Sequence, residues 1–122
     1  MSKPCHVLVV DDDDDIRESL TDALVDEGHE VMCAADGAQA LQWLRTTHLL
    51  PGLILLDMMM PVMDGAAFRA AQRADERLRD IPVVVLSAHA ELRQPMLELG
   101  VQAHYRKPIA LTQLYDIVQR FC

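Results

Sequence analysis

The chain has 122 residues, 51% of them hydrophobic, and a formal net charge of −8. A chain of this length and composition can bury one sizeable core, so one domain is expected over 1–122 and a disordered protein is excluded. The negative charge argues against nucleic acid or an anionic membrane surface as a partner. No apolar stretch approaches the ~20 residues that cross a bilayer.

The N-terminal sequence and the cysteines indicate the compartment. The start, MSKPCHVLVVDD, lacks the longer apolar region and the small-residue cleavage site of a secretory signal, so we expect a cytoplasmic protein. Cys5, Cys33 and Cys122 are widely spaced and form no CxxC pair. They are therefore expected to be reduced thiols, and no zinc site is expected. No repeat or linker divides the chain, so we expect no attached output module.

Five short apolar runs alternate with segments of helical periodicity along the chain. The runs are HVLVV at 6–10, EVMCAA at 30–35, LILLD at 53–57, VVVLS at 83–87 and a weaker AHYR at 103–106. Continuous rather than alternating apolar residues are typical of strands buried on both faces of a parallel sheet.

The segments between these runs have the pattern of amphipathic helices. Apolar residues recur at intervals of three and four in 14–27, 38–46, 65–74 and 111–121. The segment 90–99 is less clear, because Pro95 falls inside it. Alternating strands and helices predict an α/β fold, an open, doubly wound parallel sheet with helices on both faces. In such sheets the working site lies at the carboxyl ends of the strands.

Polar side chains follow four of the predicted strands at the point where each strand ends. These residues are Asp11 and Asp12 after the first strand, Asp57 at the end of the third, Ser87 at the end of the fourth and Lys107 after the fifth. Because the carboxyl ends of parallel strands share one edge of the sheet, we expect these side chains to lie together. Such a set is far rarer than one aspartate ending a strand.

The residue types in this set point to phosphoryl transfer. Three adjacent carboxylates cannot all ionise cheaply without a cation, and oxygen ligands with no His or Cys nearby select Mg²⁺ or Mn²⁺. Asp11 and Asp12 are the candidate metal ligands, and Asp57 is the candidate nucleophile. Lys107 and Ser87 are suited to contact phosphoryl oxygens.

The remaining aspartates of the run DDDDD have a different predicted role. Asp13, Asp14 and Asp15 open the first predicted helix, where acids complement the positive end of the helix dipole. We therefore interpret the run as two metal-site carboxylates followed by a helix start.

Five motifs together resemble a receiver domain of a two-component response regulator, of the stand-alone type. They are VLVVDDDDDIRESL, AADGAQALQWL, PGLILLDMMMPVMDG, IPVVVLSA and HYRKP, and the resemblance covers essentially all 122 residues. It implies a flavodoxin-like fold with strand order 2-1-3-4-5. It also implies that Asp57 accepts a phosphoryl group from a histidine kinase, a phosphotransfer protein or a small phosphodonor.

The resemblance implies further roles and partners. The Mg²⁺ ligands would be Asp11, Asp12, Asp57 and the backbone carbonyl of Met59, with Mn²⁺ as a substitute. Ser87 and Lys107 would contact the phosphoryl oxygens, and Lys107–Pro108 would be a cis peptide. The surface formed by the predicted fourth helix, fifth strand and fifth helix would meet a downstream protein target.

Three departures from the family pattern lead to specific expectations. His104 stands where the family usually has an aromatic switch residue that moves with Ser87, so His104 is the candidate switch, and Tyr105 is expected to pack. Pro95 predicts a short or displaced fourth helix that begins near it. Met59 and His89 would flank the phosphoryl group, and Met59 cannot position an attacking water.

Two other functions remain open at this point. An aspartyl-nucleophile phosphatase would use Asp11 of the Asp11-x-Asp13 pair, although this leaves Asp57 and Lys107 unexplained. A receiver-like interaction module that takes no phosphate is the second alternative. In the favoured interpretation the chain is not an enzyme beyond its own phosphorylation and dephosphorylation, and phosphorylation shifts a two-state equilibrium.

Overall fold

The computed structural model describes residues 4–88 and 98–122. The strands are β1 (His6–Val10), β2 (Glu30–Ala34), β3 (Leu53–Asp57), β4 (Val83–Ser87) and β5 (Ala103–Arg106). The helices are α1 (Asp14–Asp26), α2 (Gly37–Thr46), α3 (Gly65–Ala74) and a C-terminal helix (Leu111–Phe121). These bounds agree with the predicted segments to within one residue. The predictions for His89 and for a helix beginning near Pro95 fall on 89–97, outside the described residues.

The strands form one parallel sheet of order β2-β1-β3-β4-β5, as predicted. Its register aligns the strand ends: Val10 pairs with Leu56, Asp57 with Leu86, and Ser87 with Arg106. The carboxyl ends of the four strands β1, β3, β4 and β5 therefore lie at one edge.

Alternate residues of the three central strands pack on opposite faces of the sheet. One face packs against α2 and α3, with a core that includes Leu8, Val10, Ile54, Leu56, Val83, Val85, Leu44 and Phe68. The other packs against α1 and the C-terminal helix, with a core that includes Val7, Val9, Leu53, Leu55, Val84, Leu86, Leu24 and Ile117. Burial on both faces explains why β1, β3 and β4 are continuous apolar runs.

The two edge strands depart from this pattern. The prediction that the apolar run at 30–35 is buried on both faces was wrong, because Glu30, Met32 and Cys33 are exposed in β2. β2 lies at the end of the strand order beside β1 and so has less cover than a central strand. β5, at the other end, alternates between half-buried and exposed residues.

The cysteines also depart from the prediction. Cys5 and Cys122, which were predicted to be reduced thiols, lie side by side with a Cα–Cα distance of 5.9 Å across a sequence separation of 117, a distance that a disulfide spans. The C-terminal helix ends near the start of β1, since a crossover helix runs antiparallel to the strands it covers. Cys33 is a free thiol, as expected, and it is exposed. No helix within the described ranges is long and apolar enough to span a membrane.

Candidate functional site

Asp11 is fixed at the end of β1 by its backbone and its carboxylate. Its N–H donates to the Ala34 carbonyl at 3.1 Å, which continues the pairing of β1 with β2. Its Oδ1 accepts from the Asp13 N–H at 2.9 Å, and its side chain is buried. Asp12, the next residue, is exposed. Asp11 is therefore buried at the edge of the sheet, whereas Asp12 is exposed to solvent.

The later aspartates of the run begin α1, as predicted. Asp13 is the N-cap, and its Oδ1 accepts from the backbone N–H groups of Asp15 at 2.9 Å and Ile16 at 3.1 Å. Asp14 and Asp15 occupy the first turn, where negative charge complements the helix dipole. The run thus divides after Asp12 into site residues and a helix start.

Asp57 lies at the end of β3 with its carboxylate close to those of Asp11 and Asp12. Ligand oxygens of the three residues lie within 4.8 Å of one another. Burial and the negative charge of Asp11 together raise the pKa of Asp57 to about 6, against the opposing effect of Lys107. A second cation at this cluster would relieve the repulsion between the carboxylates. The donor set is all oxygen, which fits Mg²⁺ or Mn²⁺.

Lys107 provides the positive charge of the site. Its Nζ lies 2.5 Å from Asp11 Oδ2 and 3.3 Å from Asp57 Oδ1. Burial disfavours the charged amine, but hydrogen bonds and charge from Asp11 and Asp57 outweigh burial and raise the pKa of Lys107. Its backbone N–H donates to the Ser87 carbonyl at 2.8 Å, and Lys107–Pro108 is a cis peptide, as the resemblance implied.

Ser87 and Met59 flank Asp57 from two sides. Ser87 is buried at the end of β4, beside β3 in the sheet. The Met59 N–H donates to Asp57 Oδ1 at 3.4 Å, and the Met59 side chain is exposed. The structure thus places the Met59 amide at the carboxylate, and a role for its carbonyl stays a prediction.

The candidate switch residue lies on β5, away from this cluster in the sheet. His104 pairs with Val85 in the strand register and is exposed. Tyr105 is half-buried and packs against the core shared with α1 and the C-terminal helix, as expected. The switch role of His104 stays a prediction.

The loop between β3 and α3 is tightly constrained where it leaves the site. The Gly65 N–H donates to the Met58 carbonyl at 3.0 Å. A Cβ at Gly65 would lie 2.6 Å from the Asp57 carbonyl oxygen and 2.8 Å from Met58 Cα, so no larger residue fits there. Val62 has a φ of 66°, a backbone region that a β-branched residue rarely adopts.

Sequence reasoning missed one residue that supports the site. Arg17, one turn into α1, donates from Nη1 to the Asp11 carbonyl at 2.6 Å and also forms an ion pair with Asp14. The sequence gives little indication of this contact. An arginine near the start of a helix that begins with acids is usually expected to form an ion pair with one of those acids.

Comparison with known proteins agrees with this geometry. The family model described as "Response regulator receiver domain" matches residues 7–119. Sporulation initiation phosphotransferase F of Bacillus subtilis is 36% identical over 118 residues, covering 94% of this chain and 91% of the relative. Transcriptional regulatory protein PrrA of Mycobacterium leprae is 44% identical over 111 residues, covering 89% of this chain. The chain spans about half the length of PrrA, since the match covers 46% of it.

Solved structures show the same fold. Chemotaxis response regulator CheY4 of Vibrio cholerae superposes with a TM-score of 0.88 at 30% identity, covering 98% of this chain and 100% of that one. The receiver domain of sensor histidine kinase PA1611 from Pseudomonas aeruginosa, solved with a magnesium ion in the active-site cleft, has a TM-score of 0.87 at 28% identity and 98% coverage of both chains. The sheet order, the acidic strand ends and these matches lead to one conclusion: the chain belongs to the response regulator receiver domain family.

Proposed function

We propose that the chain is a phospho-accepting signalling switch in which Asp57 takes a phosphoryl group from a histidine kinase or phosphotransfer protein. The observation that carries this proposal is the position of Lys107, whose Nζ lies 3.3 Å from Asp57 and 2.5 Å from Asp11. A cation fixed beside a strand-end carboxylate is suited to neutralise the oxygens of an incoming phosphoryl group.

Asp57 is better suited than Asp11 to act as the nucleophile. Both oxygens of Asp11 are engaged, Oδ1 by the Asp13 N–H and Oδ2 by Lys107. Asp57 is held more weakly, since its Oδ1 has contacts of 3.3 Å with Lys107 and 3.4 Å with the Met59 N–H. Asp11 therefore supports the site, and Asp57 remains available for attack.

The chemistry assigned to the chain's own residues is an in-line displacement. An ionised Asp57 oxygen forms a bond to phosphorus while the bond from phosphorus to the imidazole nitrogen of the donor breaks, which leaves an acyl phosphate on Asp57. The Lys107 ammonium neutralises charge on the phosphoryl oxygens, and the Ser87 hydroxyl donates to one of them. The burial of Asp57 limits access of water to this group.

Magnesium is the proposed cofactor, held by Asp11, Asp12 and Asp57 with the Met59 carbonyl. Oxygens of the three carboxylates lie within 4.8 Å of one another. Among the residues that the structure describes, Lys107 is the only cation that forms an ion pair with them. When bound, Mg²⁺ supplies additional charge neutralisation at the phosphoryl oxygens.

The output of the switch is proposed to be a protein contact rather than catalysis. Phosphorylation replaces the single negative charge of the Asp57 carboxylate by an acyl phosphate that carries about −1.5 to −2 charges and three strong acceptor oxygens. This shifts the equilibrium between two forms of the domain. The partner face is proposed to be the family's surface of helix 4, strand 5 and helix 5, which in this chain includes β5 and the C-terminal helix.

The first experiment is phosphorylation with acetyl phosphate and Mg²⁺, followed by intact mass. The wild type should gain one phosphoryl group in a metal-dependent reaction, and Asp57→Asn should gain none. Asp64→Asn is the matched control, because Asp64 is an N-cap in the following loop and asparagine caps helices equally well. That variant should be phosphorylated like the wild type.

Other results would favour the other two functions. Phosphorylation that survives in Asp57→Asn and is lost in Asp11→Asn would support the aspartyl-nucleophile phosphatase. Absence of any adduct from acetyl phosphate, and from a phosphorylated histidine kinase, would support an interaction module that takes no phosphate.

A further inference from the structure

Arg69 on α3 is a buried cation that faces main-chain oxygens. It is 5% exposed, and its Nε and Nη2 each donate at 3.0 Å, to the carbonyls of Leu99 and Gly100. Its Nη1 donates to Gln72 Oε1 at 2.8 Å. The ion pairs found within 4–88 and 98–122 do not include Arg69. A guanidinium buried among neutral acceptors is costly, so its position calls for an explanation.

The acceptors of Arg69 belong to a helix end. Residues 98 and 99 are helical, and Gly100 follows with a φ of 65°, the conformation that commonly ends a helix. The carbonyls at the end of a helical segment lack partners within the helix. Arg73, one turn further along α3, donates from Nη1 to the carbonyls of Glu98 and Leu99, each at 3.3 Å.

These contacts connect the two sides of the acidic site through the chain. α3 begins at Gly65, directly after the loop that leaves Asp57. The turn at 98–100 leads into β5, which ends at Arg106 directly before Lys107. Arg69 thus joins α3, which follows Asp57 in the chain, to the turn that leads through β5 to Lys107. The hydrogen-bonded residues are about 30 positions apart in the sequence.

We propose that Arg69 is a positioning residue of the phosphoryl site, acting with Arg73 as a clamp that fixes the 98–100 turn to α3. These two guanidinium groups and the carbonyls of 98–100 form the α3 clamp. The clamp holds the start of β5 against α3 and thereby limits the movement of Lys107 relative to Asp57. The part that concerns phosphorylation rests on the function proposed above, whereas the clamp itself does not.

Arg69→Met separates local positioning from overall stability. Methionine has a similar length and no charge to desolvate, which offsets part of the cost of leaving the Leu99 and Gly100 carbonyls and Gln72 Oε1 without this donor. It cannot donate to the two carbonyls. Lysine at this position keeps the charge but cannot make both contacts, since an ammonium lacks the planar fork of arginine. Arg73→Gln, at an exposed position, tests the clamp if Arg69→Met does not fold.

A matched control is available in the same protein. Arg77 also donates to main-chain carbonyls at a helix end, those of Leu44 at 2.6 Å and of Thr47, at the end of α2. Arg77→Met removes the same chemistry from a helix end that does not lead into β5. It should loosen residues 44–47 and leave 98–106 unchanged.

The first measurement is amide hydrogen exchange without phosphodonor. Arg69→Met should speed exchange in peptides covering 98–103 by roughly tenfold, with α1 unchanged. Arg69→Lys should show a similar increase, and Arg73→Gln a smaller one. Unchanged exchange at 98–103 in folded Arg69→Met would overturn the clamp.

The second measurement is the rate of Asp57 phosphorylation by acetyl phosphate at saturating Mg²⁺. Arg69→Met should lower the maximal rate by about threefold or more with a similar half-saturating donor concentration, because misplacement of Lys107 affects the displacement step rather than donor binding. An unchanged rate despite faster exchange would overturn the positioning role. If the wild type itself takes no phosphoryl group, the proposed function fails, while the exchange result still decides whether the clamp exists.

Discussion

Replacing Asp57 by asparagine should stabilise the protein at neutral pH in the absence of divalent cations. Burial and the charge of Asp11 raise the pKa of Asp57 from 3.8 to about 6 in the folded state. The folded protein therefore holds this proton more tightly than the unfolded chain, and stability falls as pH rises from about 4 to about 6. With 1.36 kcal/mol for each pKa unit, the ionised carboxylate costs about 3 kcal/mol above that window.

The assay is urea unfolding of wild type and Asp57→Asn at several pH values in a chelator. The difference in unfolding free energy should be small below pH ~4 and should grow to about 3 kcal/mol in favour of the variant by pH ~7. Asp64→Asn is the control for the loss of one carboxylate at an exposed helix N-cap outside the acidic cluster. Added Mg²⁺ should stabilise the wild type more than Asp57→Asn. A difference that does not change with pH, or a variant less stable than wild type at pH ~7, would refute the reasoning.

Three further variants test the loop after β3 and the disulfide. Val62→Gly should raise the unfolding free energy by about 1 kcal/mol, since relief of ~1–3 kcal/mol of strain at a φ of 66° exceeds the entropic cost of glycine. Urea unfolding measures it, and a destabilised variant would argue against strain. Gly65→Ala should cost about 2 kcal/mol and weaken Mg²⁺ binding, because its Cβ would lie 2.6 Å from the Asp57 carbonyl. Calorimetry with Mg²⁺ and unfolding together check this, and unchanged values would contradict it. Cys122→Ser should lower the unfolding free energy by ~2–4 kcal/mol in oxidising buffer and leave it unchanged with reductant, whereas Cys33→Ser should have no effect in either. Equal thiol counts for wild type in both buffers would refute the pairing.

Much of the fold was predictable because its central strands are buried on both faces. Such strands must be apolar throughout, so the runs ending at Val10 and Asp57 indicate both the strands and their ends. The polar residue that ends or follows each strand then predicts the site, because sites in parallel sheets lie at the carboxyl ends of the strands. Asp13 was equally readable, because an acid before a periodic apolar pattern is a common N-cap.

The features that the sequence did not reveal depend on long-range contacts. The apolar periodicity of 65–74 predicts a helix, but it does not reveal that Arg69 is buried there through hydrogen bonds to carbonyls about 30 residues away. The pairing of Cys5 with Cys122 required knowledge of where the last helix ends. No local pattern in the sequence distinguishes a buried arginine with carbonyl partners from a solvated one.

The exposure of β2 has a consequence for how copies of this protein behave at high concentration. β2 is the first strand in the order, and its outer side presents a row of backbone groups of the kind that recruits a strand from another molecule. Exposed Met32 and Cys33 offer little protection there, and Glu30 is the charged residue of the strand. A net charge of −8 keeps copies apart at neutral pH. Acidification removes that repulsion, so self-association through this edge should begin as carboxylates are protonated. The acidic residues that form the site at one end of the sheet thus also contribute to the negative charge that limits self-association through β2.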